Sequence, residues 1–222
     1  VLFRSEIADS AFGGNANLTE ITIPSSVRRI GGYAFSNCAA LKTVNMTNGL
    51  ESVGYYAFTY CTLLTELRLP DSVRTVGECI ASGTSCNLYL PDNISSIAYQ
   101  NYNFTETRIF IHADSVTAKA LGNGSTKMYY SNARFRDPDD NYIYAWLDGK
   151  LYLMQGYSYG QSSYYNGTIY PYDTPFNSAV YGIKDNDQYM STKKTIVLPS
   201  SLRELWSEYG SSFFGGETQS IT

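Results

Sequence analysis

The feature that most constrains this chain is an alanine-phenylalanine pair that returns every 23 residues. Its three copies are Ala11-Phe12, Ala34-Phe35 and Ala57-Phe58. A fixed period of roughly 20 to 50 residues is typical of stacked repeats, in which each unit buries its neighbours' apolar side chains. The sequence therefore predicts a solenoid.

Each early repeat also contains a short alternating segment: I-T-I, V-N-M and L-R-L, which end at Ile23, Met46 and Leu69. Alternation of apolar and polar residues predicts a strand with one buried face, so we expect one short strand per repeat. Pro24 and Pro70 follow two of these strands and are expected to end them, because proline cannot donate to a ladder.

A glycine also recurs at one repeat position, as Gly31, Gly54 and Gly77. Glycine is expected where the backbone turns tightly or takes a positive φ. Cys38 and Cys61 are likewise one period apart and are predicted to be stacked, buried thiols, although neighbouring strands can also accommodate a disulfide.

The pattern continues with shorter steps. Strands are predicted to end at Leu90, Ile111 and Tyr130, at steps of 21, 21 and 19 residues. These repeats lack the alanine-phenylalanine pair, so we expect an irregular convex side with a short helix over residues 115–121.

Two motifs resemble the BspA-type leucine-rich repeats of bacterial surface proteins. They are A-F-x-x-C-x-x-L, at residues 34–41 and 57–64, and I-x-I-P-S-S-V-x-x-I-G, at residues 21–31, with a return as I-V-L-P-S-S-L-R-E-L at residues 196–205. The resemblance implies a β-dominated leucine-rich-repeat solenoid with short strands and irregular or short helical convex segments. It also implies a surface-attached or secreted adhesion or protein-binding role and no shared catalytic residues.

Between the two stretches of repeat, the composition turns rich in Tyr, Ser, Gly, Asn and Asp. We predict repeats over residues 1–131, an inserted tyrosine-rich β subdomain over 132–192, and an incomplete resumed repeat over 193–222. Asp148-Gly149 predicts a hairpin that pairs Leu147 with Lys150, and Asn166-Gly167 predicts a second one. Both faces of the first hairpin are largely apolar, so each is expected to be covered.

The strand positions that alternate away from the core form a predicted column: Thr22, Asn45, Arg68, Tyr89, Phe110 and Tyr129. Such columns line the extended binding face of curved repeat arrays. The alternative is a plain solvated sheet surface, which the threonine and asparagine fit, whereas three successive aromatic residues exceed what solvation requires. Glu66, Arg68 and Arg108 are expected to orient a bound partner.

Further candidate contact residues are Trp146 and the insert tyrosines Tyr157, Tyr159, Tyr164 and Tyr165. Tyr with Ser, Gly and Asn is the composition of adaptable binding loops. Half-buried packing is the alternative for these tyrosines, and for Trp146 packing is favoured over a sugar-stacking platform.

The charge balance argues against nucleic acid as a partner. The chain has 16 Lys and Arg against 20 Asp and Glu, a net charge of −4, and no basic cluster. No run approaches the roughly 18 apolar residues that span a bilayer. The chain opens without Met and inside a repeat, so a fragment or processed form is expected.

Catalytic and metal-binding patterns are weak. His112 is the one histidine and is expected to have a structural role at the surface, so multi-histidine metal sites are excluded. The run D-P-D-D-N at residues 137–141 resembles the start of a calcium loop, but Tyr142 stands where that loop needs Gly, which favours a solvated acidic turn. No cofactor or metal is expected.

These observations predict a non-enzymatic recognition or adhesion module whose partner is a protein of a host or neighbouring cell, or a glycan. One alternative is a carbohydrate-binding or carbohydrate-cleaving surface protein, because carboxylate pairs for glycosidase chemistry have no sequence signature. The other is a soluble inhibitor or effector that captures one macromolecular partner.

Overall fold

The computed structural model describes residues 5–97, 107–123, 135–139, 143–147, 150–153, 180–185, 195–196, 200–207 and 220–221. In this part of the chain, successive repeats form stacked coils of a β solenoid, as predicted. Each early coil supplies two strands rather than the single strand expected from the sequence. These strands form two arrays along the stack, and within each array neighbouring strands run parallel.

The first array, called here the front sheet, begins with one strand from each repeat: β2 (Glu20–Ile23), β4 (Thr43–Met46), β6 (Glu66–Arg68), β8 (Asn87–Tyr89) and β10 (Arg108–Phe110). Strands β2 and β4 pair in parallel, β4 lies beside β6, and β6, β8 and β10 pair in parallel. The predicted strands in I-T-I, V-N-M, L-R-L, L-Y-L and I-F-I are therefore confirmed.

The second array, the back sheet, was missed by the sequence analysis. It consists of two-residue strands: β1 (Glu6–Ile7), β3 (Arg29–Ile30), β5 (Ser52–Val53), β7 (Thr75–Val76) and β9 (Ser96–Ile97). Alternation cannot reveal a strand of two residues, because a period needs several positions to show itself.

The core lies between the two sheets and the convex turns. Phe35 is fully buried, and its ring stacks on Phe12 at 5.2 Å and on Phe58 at 5.1 Å between centroids. The amide of Phe12 donates to Ala34 O at 2.8 Å, and the amide of Phe35 donates to Ala57 O at 2.8 Å. The recurring pairs therefore lie directly over one another, as a solenoid requires.

A second buried column runs beside the phenylalanines and keeps the 23-residue step without interruption. At its four positions a thiol or hydroxyl donates to a carbonyl of the preceding coil: Cys38 to Phe12, Cys61 to Phe35, Thr84 to Phe58 and Thr107 to Ala81. Both predicted thiols are buried and free, and two threonines continue their role. The 21-residue steps between front strands therefore come from shortened loops, not from decay of the repeat.

The recurring glycines are explained by close approach of the backbone rather than by positive φ. None of Gly31, Gly54 and Gly77 has a positive φ. A Cβ on Gly54 would lie 2.5 Å from both Gly31 C and Gly32 N in the preceding coil. Apart from Gly49, the positive-φ residues of the described part lie in two convex columns of one residue per coil: Ser10, Tyr33, Tyr56 and Cys79, and Gly14, Asn37, Tyr60 and Gly83.

A helix and three more strands complete this end of the stack: α1 (Val116–Asn123), β11 (Phe135–Arg136), β12 (Ile143–Leu147) and β13 (Lys150–Leu153). The helix lies where residues 115–121 predicted one. The next strand to pair with β10 is β11, and the strand predicted to end at Tyr130 falls in a segment that is not described. Residues 124–134 lie outside the described part of the chain.

Strands β12 and β13 pair antiparallel with Leu147 opposite Lys150, the register expected for a turn at Asp148-Gly149. They do not stand apart from the repeats, because the sheet runs without a break from β10 through β11 and β12 to β13. Strand β12 alone runs against the direction of its neighbours. The inner face of this region is covered, since Phe135, Tyr144 and Leu151 are buried.

The remaining strands are β14 (Val180–Asp185), β15 (Thr195–Ile196), β16 (Glu204–Ser207) and β17 (Ser220–Ile221). Strand β14 pairs in parallel with both β13 and β16, and β15 pairs with β17. Arg203 donates hydrogen bonds to the carbonyls of Ser200 and Leu202 in the same way that Arg74 donates to those of Asp71 and Val73. The turn of the earlier repeats therefore recurs at residues 200–203. The second predicted hairpin, at residues 166–167, falls outside the described residues, and the insert boundaries 132–192 remain a prediction.

Candidate functional site

The outward side of the front sheet, called here the strand face, consists of two columns of side chains. One column follows the first position of each strand: Glu20, Thr43, Glu66, Asn87 and Arg108. The other lies two residues further on: Thr22, Asn45, Arg68, Tyr89, Phe110 and Arg136. Between them an aliphatic residue of each strand points into the core, as Leu67, Leu88 and Ile109 do.

Arg68 links the polar part of this face to its aromatic part. Its Nε and Nη2 donate to the two carboxylate oxygens of Glu66 at 2.6 and 3.2 Å. Its Cζ also lies 3.5 Å from the centre of the Tyr89 ring, in a cation–π contact. The hydrogen bond that Arg68 donates to Glu66 raises the pKa of Arg68 above its usual value, against a smaller opposing effect of desolvation. The guanidinium is therefore charged and held in one orientation.

Tyr89 and Phe110 form a stacked pair on neighbouring strands. Their ring centroids are 4.6 Å apart and their planes differ by 18°. This distance matches the spacing of adjacent strands, so the rings face each other along the sheet and turn their edges to the outside. Both residues are half-buried rather than fully exposed, because each covers the other.

Two further arginines flank the aromatic pair. Arg108 lies two residues before Phe110 on the same strand and is exposed. Within the described residues its side chain makes no hydrogen bond or ion pair. Arg136 pairs with Phe110 across the sheet and continues the outward column. Tyr129 itself lies outside the described residues, so its proposed contact role stays a prediction.

Trp146 belongs to the core side of the molecule rather than to the strand face. Its Nε1 donates to Ala113 O at 2.6 Å, and Lys119 Nζ lies 5.3 Å from the ring centre. The indole is therefore engaged with the segment leading into α1, as the packing alternative expects, and a contact role for Trp146 stays a prediction. Tyr157, Tyr159, Tyr164 and Tyr165 lie outside the described residues.

His112 is held between carboxylates. Its Nδ1 is 2.8 Å from Asp92 Oδ1, and its Nε2 is 3.8 Å from Asp139 Oδ1. Partial burial acts to lower the pKa of His112, but the hydrogen bond and charge of Asp92 outweigh it, so the pKa is raised. With a carboxylate near each ring nitrogen, the imidazole is arranged for an ion pair rather than for activating a nucleophile.

The cysteines are also poorly suited to nucleophilic chemistry. Burial raises the pKa of Cys61 and of Cys86 to about 12, so both thiols stay protonated near neutral pH.

In the acidic turn that begins at Asp137, Pro138 and Asp139 are exposed as expected for a solvated turn, but Asp137 is not. Asp137 is only 4% exposed, and its two carboxylate oxygens accept the amides of Ala113 at 2.6 Å and Asp139 at 2.9 Å. It therefore joins the turn after β11 to the turn after β10. Within the described ranges, no group of three His, Cys, Asp or Glu residues is placed to hold a metal ion.

Sequence reasoning missed an aromatic cluster on the convex turns. Tyr33 stacks on Tyr56 at 5.2 Å and meets Tyr55 edge-on at 5.2 Å, and Tyr33 and Tyr55 are 40% and 44% exposed. A Cβ on Gly32 would lie 2.7 Å from the Tyr55 ring, so this ring packs on the glycine. The recurrence of tyrosine before the alanine-phenylalanine pair was the available signal.

Comparison with known proteins gives a family and several structural likenesses. The family model described as "BspA type Leucine rich repeat region" matches residues 5–123 in six copies. No curated protein matches the chain. None of the helices in the described residues has the length and apolar character needed to cross a membrane.

Three solved structures illustrate the likeness. The T. pallidum leucine rich repeat protein TpLRR is 29% identical, with a TM-score of 0.44, over 48% of this chain and 51% of that chain. A leucine-rich repeat protein from Bacteroides ovatus ATCC 8483 is 20% identical, with a TM-score of 0.46, over 94% and 51%. The pneumococcal vaccine antigen PcpA is 16% identical, with a TM-score of 0.38, over 98% and 55%. The chain thus spans about half the length of these proteins.

Proposed function

Because the chain belongs to the BspA-type leucine-rich repeat family, we propose that it is a non-enzymatic module that binds a protein partner through the strand face. A location at the bacterial surface or in the secreted fraction, which the family implies, is part of the proposal. A contribution from the tyrosine-rich segment 132–192 is a further part of the proposal.

The observation that carries the proposal is the joined set Glu66, Arg68, Tyr89 and Phe110. The first two coils place only Glu, Thr and Asn on the strand face, as a plain solvated sheet would. The next coils place Arg68, held by two hydrogen bonds to Glu66, against the stacked Tyr89 and Phe110 rings. Aromatic residues at these outward positions contribute little to the core. Aromatic residues and arginine are the types that carry most binding energy at protein interfaces.

A protein partner is favoured over a glycan by the surroundings of the aromatic rings. Trp146, the expected sugar platform, has its indole N–H bonded and its ring beside Lys119. Tyr89 has Arg68 over one face and Phe110 against the other. A flat ring face is what a sugar needs for stacking, and neither residue offers one freely.

The test is a binding screen of the full chain against an array of secreted and cell-surface proteins, beside a glycan array. The double variant Tyr89→Ala with Phe110→Ala should lose at least tenfold in affinity for its protein targets, since hot-spot truncations cost about 2 kcal/mol each. The matched control, Thr22→Ala with Asn45→Ala, changes the same face and should bind as the parent does. Circular dichroism should show an unchanged fold for both variants.

The proposal fails if the aromatic double variant binds every protein target as tightly as the control. Glycan binding that is insensitive to the strand face and lost on substitution of Tyr164 and Tyr165 would instead favour the carbohydrate-binding alternative.

A further inference from the structure

We propose that the aromatic part of the strand face binds an acidic protein segment. In the complex, a carboxylate pairs with Arg108 and a neighbouring apolar side chain lies along the edges of the Tyr89 and Phe110 rings. This inference rests on the proposed function and specifies the chemistry of the partner.

The first step concerns the orientation of the rings. Arg68 approaches Tyr89 from strand β6 and Phe110 approaches it from strand β10, on the opposite side. With both faces of the Tyr89 ring occupied, what this ring offers a partner is its edge, and the Phe110 ring stacked on it turns its edge the same way. The edge of an aromatic ring carries the positive part of its quadrupole, so it favours negative groups and disfavours cations.

The second step concerns charge. Glu66, Arg68 and Arg108 together carry a formal charge of +1, on a chain whose net charge is −4. Glu66 neutralises Arg68 through two hydrogen bonds. Arg108 is exposed and has no ion-pair partner within the described part of the chain. A guanidinium of this kind is suited to bind a carboxylate through paired hydrogen bonds.

The third step concerns spacing. Arg108 and Phe110 are two residues apart on one strand, so their side chains leave the same face about 6.7 Å apart. An extended peptide has the same repeat, because its alternate side chains also point the same way at about 6.7 Å. An acidic residue followed two positions later by an apolar one therefore matches Arg108 and the ring edges together. A nucleic-acid backbone would supply negative charge for Arg108 but no apolar group for the ring edges.

The experiment uses the full chain and three synthetic peptides measured by biolayer interferometry. One peptide repeats Glu-Ser-Phe-Ser, the second repeats Lys-Ser-Phe-Ser, and the third repeats Glu-Ser-Ala-Ser. The first should bind, the third should bind at least fivefold more weakly, and the second should not bind. Sialyllactose serves as an anionic sugar probe and should not bind either. Binding of the first peptide should weaken as salt is added.

Arg108→Ala should lower the affinity for the Glu-Ser-Phe-Ser peptide about tenfold, as expected for loss of one charge-assisted pair. The matched control is Arg28→Ala, which removes the same charge away from the strand face, where Arg28 bonds Gly49 O and pairs with Glu51. This variant should bind as the parent does. Equal losses in the two variants would show a response to net charge alone and would overturn the inference.

Other outcomes also separate the two proposals. If Tyr89→Ala with Phe110→Ala abolishes binding to array proteins while Arg108→Ala does not, the strand face binds protein but not through an acidic segment. Failure of the Glu-Ser-Phe-Ser peptide to bind, or equal binding of the Lys-Ser-Phe-Ser peptide, likewise rejects the acidic segment. Sialyllactose binding that is lost in Arg108→Ala would replace it with an anionic glycan.

Discussion

Replacing Gly54 by alanine tests the explanation given for the recurring glycines. A Cβ at this position would lie 2.5 Å from Gly31 C and Gly32 N, both backbone atoms of the preceding coil. Optimal carbon–carbon contact is about 3.5 Å or more, so the two coils must separate locally by about 1 Å. The obstacle is main chain, so rotation of a side chain cannot relieve it.

The cost follows from the hydrogen bond that this separation stretches. The amide of Gly54 donates to Ile30 O at 2.8 Å. A displacement of about 1 Å takes that distance beyond the usual limit near 3.2 Å. Loss of this bond and strain on its neighbours in the back sheet cost about 1 kcal/mol each, and the disturbed packing adds a similar amount. We expect Gly54→Ala to destabilise the chain by about 3 kcal/mol.

Gly14→Ala is the matched control, because Gly14 has a positive φ but open space around it, whereas Gly54 has an ordinary φ and no space for a Cβ. The φ of Gly14 is 75°, and no atom lies within 4 Å of an added Cβ. The expected cost is only the left-handed strain of about 1 kcal/mol, and Gly14→Asn should cost less, since Asn37 adopts this conformation one coil later. Urea unfolding followed by circular dichroism measures all three variants. A cost for Gly54→Ala no larger than that for Gly14→Ala would refute the argument from close approach.

Two further predictions concern links between coils. Thr84→Val should lower the free energy of unfolding, measured in urea, by about 3 kcal/mol. The change leaves the buried Phe58 O and Cys61 N–H without the hydroxyl that they now bond at 2.8 and 3.0 Å. Thr84→Ser should stay within about 1 kcal/mol of the parent, and equal losses in the two variants would contradict the role given to these hydrogen bonds. Below about pH 6.5, His112→Gln should destabilise the chain by less than about 1 kcal/mol, because the ion pair with Asp92 needs the charged imidazole. The effect should vanish once the pH has risen through the folded-state pKa of His112, which is raised. An effect of His112→Gln that persists at high pH would contradict this expectation.

The sequence predicted the elements whose signal repeats within one coil or between coils. Alternation located the front strands, because Val44, Leu67 and Leu88 turn inward between outward polar or aromatic residues. The 23-residue period located the buried Phe35 and Phe58 and the thiols beside them. Each of these positions is fixed by burial, which a pattern of residue types records directly.

The back sheet and the later coils could not be predicted in this way. The steps between successive front strands fall from 23 to 21 residues, which the sequence analysis took for loosening. The buried donors show otherwise, since Cys61, Thr84 and Thr107 keep the 23-residue step. The distance from each donor to the inward residue of the next strand falls from six residues to four and then two. A thiol and a hydroxyl are chemically equivalent in this role, but a search for cysteine does not find threonine.

The same limit applies at the end of the aromatic column. The step from Phe110 to its pairing partner Arg136 spans a connection that includes α1, and a connection of that kind leaves no periodic trace. The pairing adds an arginine beside the stacked aromatic pair, which the spacing of the earlier repeats did not indicate. The contact role of Tyr129 stays a prediction.

The constancy of the inner positions makes the outer ones informative. At the inward centre of successive front strands the chain has Ile21, Val44, Leu67, Leu88 and Ile109, all aliphatic, because the core accepts nothing else. The outward neighbours change from threonine and asparagine to arginine, tyrosine and phenylalanine over the same coils. Since the first two coils stack with small polar groups at these positions, stacking alone does not require rings there. This contrast between the early and later coils is the reason for proposing that the aromatic pair and its arginines contact a partner.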